Sequence, residues 1–307
     1  MSYFDIFTAR ECYKQGGNVT EHLRRQHGTK MNTPQIIEIA YDLQAGSYIE
    51  FLESNHDFCM RYSAQLTDIL KANLEQNDTI MDIGTGELTT FSLILEEIHT
   101  KIAKAYAFDI SWSRLSKGIQ FAEKRLGDST SKLVPFMANI ETIPLPSKSI
   151  DITTSNHALE PNGGNLEMLM MELFRVTRKK LVLFEPSYET NCQEGKRRMD
   201  SLGYIKGLES VVAKLGGKVV DFTKLQITSN ALNPTACFVI EPPEVEKSLL
   251  DLGDDNQPTF TIPGSNIPLS LSGNFLVSKE SGLVFPILGG IPVLKRDSAI
   301  LATAYDE

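Results

Sequence analysis

Apolar positions change their period twice along this chain. Over residues 1–76 they recur at helical spacing, as in Phe58, Tyr62, Leu66, Ile69, Leu70 and Leu74. Thr33 followed by Pro34 is a helix start, with an N-cap hydroxyl and proline at the first helical position. The pattern predicts helices at 34–53 and 57–75. From residue 79 short apolar runs alternate with helical stretches. The runs are Thr79–Ile83, Ala105–Phe108, Leu133–Met137, Ile150–Thr154 and Leu181–Phe184. Helical stretches fall at 88–99, 111–126, 164–177 and 194–215. That rhythm predicts an α/β fold, a parallel sheet with helices on both faces. Two more strands, Val219–Gln226 and Ala236–Ile240, are joined too tightly for a helical crossover and must pair antiparallel. The expected organisation is a helical arm or lid (1–76), a seven-stranded Rossmann-like domain whose last strand is antiparallel (77–243), a Pro-rich acidic linker (244–259) and a small β-rich unit (260–307).

Composition narrows the partners. The 307 residues are 41% hydrophobic and 22% charged, ordinary for a globular protein. A net charge of −9 argues against a broad nucleic-acid surface. The short basic clusters Arg24-Arg25, Arg178-Lys179-Lys180 and Lys196-Arg197-Arg198 read as solvated helix ends rather than phosphate contacts. Cys12, Cys59, Cys192 and Cys237 show no C-x-x-C spacing, so neither a zinc site nor a disulfide framework is signalled. The N-terminal stretch lacks the basic start and apolar core of a signal peptide. The apolar run Ser281–Leu294 is short and broken by Pro286, Gly289, Gly290 and Pro292, so it cannot span a bilayer as a helix. The expected setting is the cytoplasm, with no membrane partner.

Candidate chemistry begins at Asp82-Ile-Gly84-Thr85-Gly86, where an apolar run ends in Asp-x-Gly-x-Gly and a helix follows. Glycines let backbone approach a ligand where a Cβ would clash, and ligands of open α/β sheets lie beyond the carboxyl ends of the strands. A dinucleotide turn would continue to a third glycine; here that position is Thr89, which weakens a nicotinamide reading. Asp109 ends the next strand, where a carboxylate can accept two ribose hydroxyls or cap the helix starting near Ser111. Next comes Met137-Ala-Asn139-Ile140-Glu-Thr-Ile, then a Leu-Pro stretch leading to Ser149-Ile-Asp151. It is followed by Ser155-Asn156-His157-Ala-Leu-Glu160, Glu172-Leu-Phe-Arg and Leu181-Val-Leu-Phe-Glu185-Pro.

In that order these segments resemble the class I S-adenosylmethionine-dependent methyltransferases, over about residues 78–241. The resemblance implies S-adenosyl-L-methionine as cofactor. It places the cofactor against Asp82, Gly84, Thr85 and Gly86, against Asp109 and Ile110, and against Asn139, Ile140 and Asn156. Backbone amides near Gly84–Leu88 suit the cofactor's carboxylate. Asp82 either holds its amino end or braces the turn. Asn139 faces the adenine amino group, and Ile140 either packs on the ring or belongs to the core. Two departures stand out. Glu87 replaces a frequent glycine, so its carboxylate is free to approach the ammonium or sulfonium. Pro161 replaces a histidine after Leu159-Glu160.

Methyl transfer from sulfur is an in-line displacement accelerated mainly by alignment, and a hydroxyl acceptor gains further from a base. His157 is the candidate base; the alternative is a loop histidine that shapes the pocket. Glu160, Glu185 and Tyr188 follow strands four and five and are assigned to the acceptor, together with Tyr13 and His22 of the arm. Residues 260–295, with Gly282-Leu-Val-Phe-Pro-Ile and Gly290-Ile-Pro, resemble the zinc-ribbon partner subunits that activate some methyltransferases. No cysteine follows Cys237, so no metal is expected there. The leading expectation is methyl transfer to oxygen of a small-molecule or sugar-like acceptor. The alternatives are an RNA or protein methyltransferase and a non-catalytic cofactor-binding or scaffold protein.

Overall fold

The computed structural model describes residues 3–244 and 259–305; most of the expected linker lies outside the described residues. The arm comprises five helices, α1 (Tyr3–Lys14), α2 (Val19–Gln26), α3 (Pro34–Asp42), α4 (Ser47–Ser54) and α5 (His56–Asn73). Thr33 caps α3 as expected, its hydroxyl accepting from Ile36 N–H. The helix expected over 34–53 is two, because Gly46 adopts φ +108° and turns the chain before α4.

Strands β1 (Asp78–Ile83), β2 (Ile102–Asp109), β3 (Leu133–Ala138), β4 (Ile150–Asn156), β5 (Thr177–Pro186), β6 (Lys218–Lys224) and β7 (Thr235–Glu241) form the central sheet. Their spatial order is β6-β7-β5-β4-β1-β2-β3. β1–β5 run parallel to one another, and β7 runs antiparallel to both β5 and β6. Helices α6 (Thr89–Ile98), α7 (Trp112–Leu126), α8 (Leu166–Val176), α9 (Gln193–Leu202) and α10 (Leu208–Lys214) link the strands. The single stretch expected over 194–215 breaks at Gly203 and Gly207, both left-handed. The central strands are buried on both faces, Ile80, Met81, Phe108, Phe136 and Phe184 almost completely, as a parallel sheet covered on two sides requires.

The C-terminal strands do not stand apart from this sheet. They are β8 (Ser270–Ser272), β9 (Phe275–Ser278), β10 (Leu283–Leu288), β11 (Ile291–Leu294) and the short β12 (Ile300–Leu301). β11 pairs in parallel with β3, Val293 opposite Met137 and Leu294 opposite Ala138. The antiparallel ladder of β10, β9 and β8 carries the sheet outward. An edge that would otherwise show unpaired backbone groups is thereby covered. Phe260 inserts against Phe136, with ring centroids 5.2 Å apart. Phe260, Leu269, Leu276, Phe285 and Leu294 join the same buried cluster as Met81 and Phe108.

Candidate active site

A cavity of about 620 Å³ lies beyond the carboxyl ends of β1, β2, β3 and β4, beneath the arm. Its floor is the turn after β1. Gly84 and Gly86 have φ +60° and +58°, and Leu88 completes the left-handed entry into α6. A Cβ on Gly84 would lie 2.6 Å from the Ala158 Cβ, and one on Gly86 the same distance from the Arg114 guanidinium. The turn is pinned from β2: Thr85 N–H donates to the Phe108 carbonyl (2.9 Å) and Gly86 N–H to Asp109 Oδ2 (2.8 Å). Asp109 Oδ1 accepts from Ser111 N–H (2.8 Å). The Asp109 carboxylate therefore braces both the turn and the start of α7, and it also lines the cavity. Asp82 is buried in the floor, where burial, reinforced by Asp109 and Glu185, pushes its pKa up to about 7. Ile110, Asn139 and Ile140 line the wall formed by the ends of β2 and β3. The Asn139 amide closes a local turn, accepting from Glu141 N–H (3.1 Å).

Glu87 does not face this cavity with a free carboxylate. Its Oε1 accepts from Gly46 N–H (2.9 Å) and its Oε2 from Tyr48 N–H (3.1 Å) and Ile49 N–H (2.9 Å). It thus caps the N-terminus of α4, a favoured place for negative charge. Arg114 lies 3.6 Å from the same carboxylate and against the rings of Tyr48 and Tyr41, at 4.4 and 5.3 Å. The expected approach of Glu87 to a ligand ammonium is corrected: the residue fastens the arm to the glycine turn. Nothing in the local sequence marks this, because its partners lie about forty residues upstream.

The other end of the cavity is built around His157, which has φ +59°. Nδ1 meets Glu160 Oε2 at 2.6 Å and Nε2 meets Thr235 Oγ1 at 2.7 Å. Burial works to lower the imidazole pKa, but the Glu160 carboxylate outweighs it and the pKa is raised. Asn233 Nδ2 donates to Glu160 Oε2 (2.9 Å), and Tyr62 OH donates to Asn156 Oδ1 (2.7 Å). Tyr13, Tyr41, Tyr48, Phe51, Phe58 and Tyr62 bring aromatic surface from the arm.

Three residues assigned to an acceptor lie elsewhere. Glu185 is fully buried and accepts from Ser155 Oγ (2.7 Å) and from the N–H groups of Ala158, Leu159 and Glu160 (3.0, 3.0 and 3.1 Å). It shapes the loop that presents His157 and is not among the residues that line this cavity. Tyr188 bonds Asp200 Oδ2 (3.3 Å) and packs against Lys206 and Lys196. His22 is half-buried on α2, two positions from the cavity-lining Thr20, which turns it roughly 200° round the helix. Conversely, Tyr62, Arg114, Arg198, Tyr204 and Asn233 line the cavity although sequence reasoning assigns them no part in it.

No protein-family model and no curated protein matches the chain. Solved structures do resemble it. One is the complex between the Haloferax volcanii Trm112 methyltransferase activator and a candidate methyltransferase, with TM-score 0.52 and 13% identity, covering 66% of this chain and 98% of that one. Another is geranyl diphosphate C-methyltransferase from Streptomyces coelicolor, with TM-score 0.48 and 10% identity over 59% of this chain and 80% of that one. A third is the magnesium protoporphyrin IX methyltransferase of Synechocystis, with TM-score 0.47 and 11% identity over 59% and 82%. The fold is the Rossmann-like fold of methyltransferases, with a helical N-terminal region and antiparallel C-terminal strands. Among the described residues no helix is long and apolar enough to cross a membrane.

Proposed function

We propose that the chain is an S-adenosyl-L-methionine-dependent methyltransferase that methylates oxygen of a small-molecule or sugar-like acceptor. One observation carries this reading: the left-handed Gly84/Gly86 turn, buttressed by Asp109 and floored by Asp82, opens into the same cavity as the His157–Glu160 pair. The donor set suits the cofactor. Asp109 retains lone pairs on both oxygens for ribose hydroxyls beyond its two backbone donors, and Asn139 and Ile140 stand where an adenine would end. A buried carboxylate with its pKa held up to about 7 gains from a cation beside it, and the cofactor's ammonium is one. When bound, the cofactor supplies an electrophilic methyl group on sulfonium.

The chain's own residues do the rest. The arm's aromatic rings cover the cavity and exclude water while the acceptor is aligned. With Nδ1–H directed at Glu160, Nε2 of His157 is the basic atom. An acceptor hydroxyl that replaces the Thr235 hydroxyl at Nε2 has its proton taken there, and Glu160 stabilises the resulting imidazolium. The C-terminal unit is, in this proposal, an in-chain counterpart of an activator subunit. Its β11 extends the sheet beside Met137 and Ala138, and Lys295 reaches Glu38 of the arm at 2.7 Å. Calorimetric titration of S-adenosylhomocysteine at pH 7 in two buffers of different ionisation heat tests the cofactor assignment. The ligand's ammonium should lower the Asp82 pKa, so binding should release protons, and Asp82→Asn should abolish the release. Proton-neutral binding by the unaltered chain contradicts the placement.

A further inference from the structure

The cavity holds two guanidinium groups, each with one buried nitrogen that makes no hydrogen bond, but with different charged neighbours. Arg114 has the Glu87 carboxylate and two tyrosine faces around it. Arg198, on α9, lines the cavity, yet its Nη1 is buried without a partner and, among the described residues, no carboxylate forms an ion pair with it. Its protein neighbour is Tyr204, a neutral phenol whose ring lies 5.8 Å from the guanidinium carbon. Its charge also reaches His157, whose pKa it pulls down against the rise caused by Glu160. Glu160 does not answer Arg198, because its side chain is already engaged by His157, Asn233 and Tyr204. Arg198 as a whole is half-buried and hydrogen-bonds Tyr204, but a buried guanidinium N–H left without an acceptor is costly, and guanidinium geometry matches carboxylate and phosphate oxygens.

A second feature points the same way. The N-terminus of α2 opens onto this cavity through Gly17, Asn18, Val19 and Thr20. Asn18 Oδ1 accepts from Glu21 N–H (3.1 Å), whereas the first amides of a helix have no intrahelical partner and favour negative charge. α2 is tied to α9 by Arg24, which donates to the Ser201 carbonyl (3.2 Å), one turn beyond Arg198.

We propose that the methyl acceptor is an anion, whose carboxylate or phosphate group is received by Arg198 and the N-terminus of α2 while its hydroxyl is presented to His157. The identification of this anion as methyl acceptor rests on the methyltransferase reading above; the anion site itself does not. The arm thereby gains a chemical role, since half of the anion site is arm and half is the α9 helix that follows β5.

The test uses the full chain with and without S-adenosylhomocysteine. Sodium benzoate, its neutral analogue benzamide and inorganic phosphate are titrated by ligand-observed NMR. At least one anion should bind, benzoate should exceed benzamide by about tenfold or more if the group is a carboxylate, and phosphate should bind instead if it is a phosphate. Arg198→Gln should weaken the binding anion at least about tenfold, Arg198→Lys less, and substitution of the exposed neighbour, Arg197→Gln, not at all. Failure of both anions to bind, equal binding of benzoate and benzamide without phosphate binding, or an unchanged Arg198→Gln overturns the proposal. The benzoate–benzamide comparison is made on the unaltered chain, so it stands even if a variant misfolds. Anion binding at Arg198 in a chain that does not bind S-adenosylhomocysteine keeps the anion site and removes its meaning as a methyl-acceptor site. Binding of the cofactor product without any anion binding overturns this inference alone.

Discussion

The two ends of the cavity are built on different principles. The glycine-turn end is made of backbone: two left-handed glycines, two amides pinned by Asp109, and one carboxylate, Glu87, that locks a helix start onto the turn. The His157 end is made of side chains brought from the arm, the loop after β4, α9 and the start of β7. Charge divides along the same line. Arg114 at the first end faces a protein carboxylate; among the described residues, Arg198 at the second forms no ion pair with one. Under the proposed function the difference has a reason: an end that receives one constant cofactor can be fixed by main chain, whereas an end that receives an acceptor leaves polar groups for it to complete.

Breaking the glycine-turn end should have the largest effect. Glu87→Ala would leave three amides at the start of α4 and the Arg114 guanidinium without their partner. A loss of about 3–5 kcal/mol is expected for one removed member of a buried charged pair, measured by urea denaturation. A loss near that of a surface substitution would mean that Glu87 does not fasten the arm. At the other end, His157→Ala should lower turnover by roughly 10² or more while leaving cofactor affinity nearly unchanged. The pH profile sharpens this. Because Glu160 raises the His157 pKa, turnover of the unaltered chain should rise with pH through a midpoint above 6.5. Glu160→Gln should move that midpoint down, and an unmoved midpoint excludes His157 as the titrating group. The sign for stability is opposite. The His157–Glu160 contribution is complete below the unfolded pKa and is lost as pH rises through the raised folded value. The smallest effect is expected from Gly84→Ala. A left-handed non-glycine residue costs roughly 1–2 kcal/mol, and the new Cβ would press on Ala158. Cofactor affinity should fall by a factor on the order of ten, with turnover at saturation less affected; unchanged affinity would show that the turn tolerates the methyl group.

The legibility of the two ends in the sequence follows the same division. Strands on this side of the sheet are predicted within a few residues, β1 over 79–83 against Asp78–Ile83 and β3 over 133–137 against Leu133–Ala138, because each carries a short apolar run bounded by polar residues. Gly84, Gly86, Asp109 and Asn139 are local in sequence, so a motif finds them and the structure lines one cavity with all four. Their part in holding a cofactor is a proposal. Glu185 sits at an equally visible position at the end of β5, yet burial and four donors turn it into a brace for the His157 loop. Arg198 lies in a basic run that composition alone makes a solvated helix end. Only the packing of α9 under the arm turns one member inward while Arg197 stays exposed. The junction of β11 with β3 is equally hidden, since strand pairing between residues so far apart in the chain leaves no local trace.

Whether the β1–β2 end of the cavity holds S-adenosylmethionine, as proposed, is decided by the calorimetric affinity of that cofactor for the unaltered chain and for Asp109→Ala, measured beside the affinity of NAD. The predicted result is saturable binding of the cofactor, at least about tenfold weaker in Asp109→Ala, where ribose hydroxyls would lose a charged acceptor worth roughly 1.5–3 kcal/mol, and no tight binding of NAD. Equal affinity in the variant, or NAD bound in preference to S-adenosylmethionine, would contradict it.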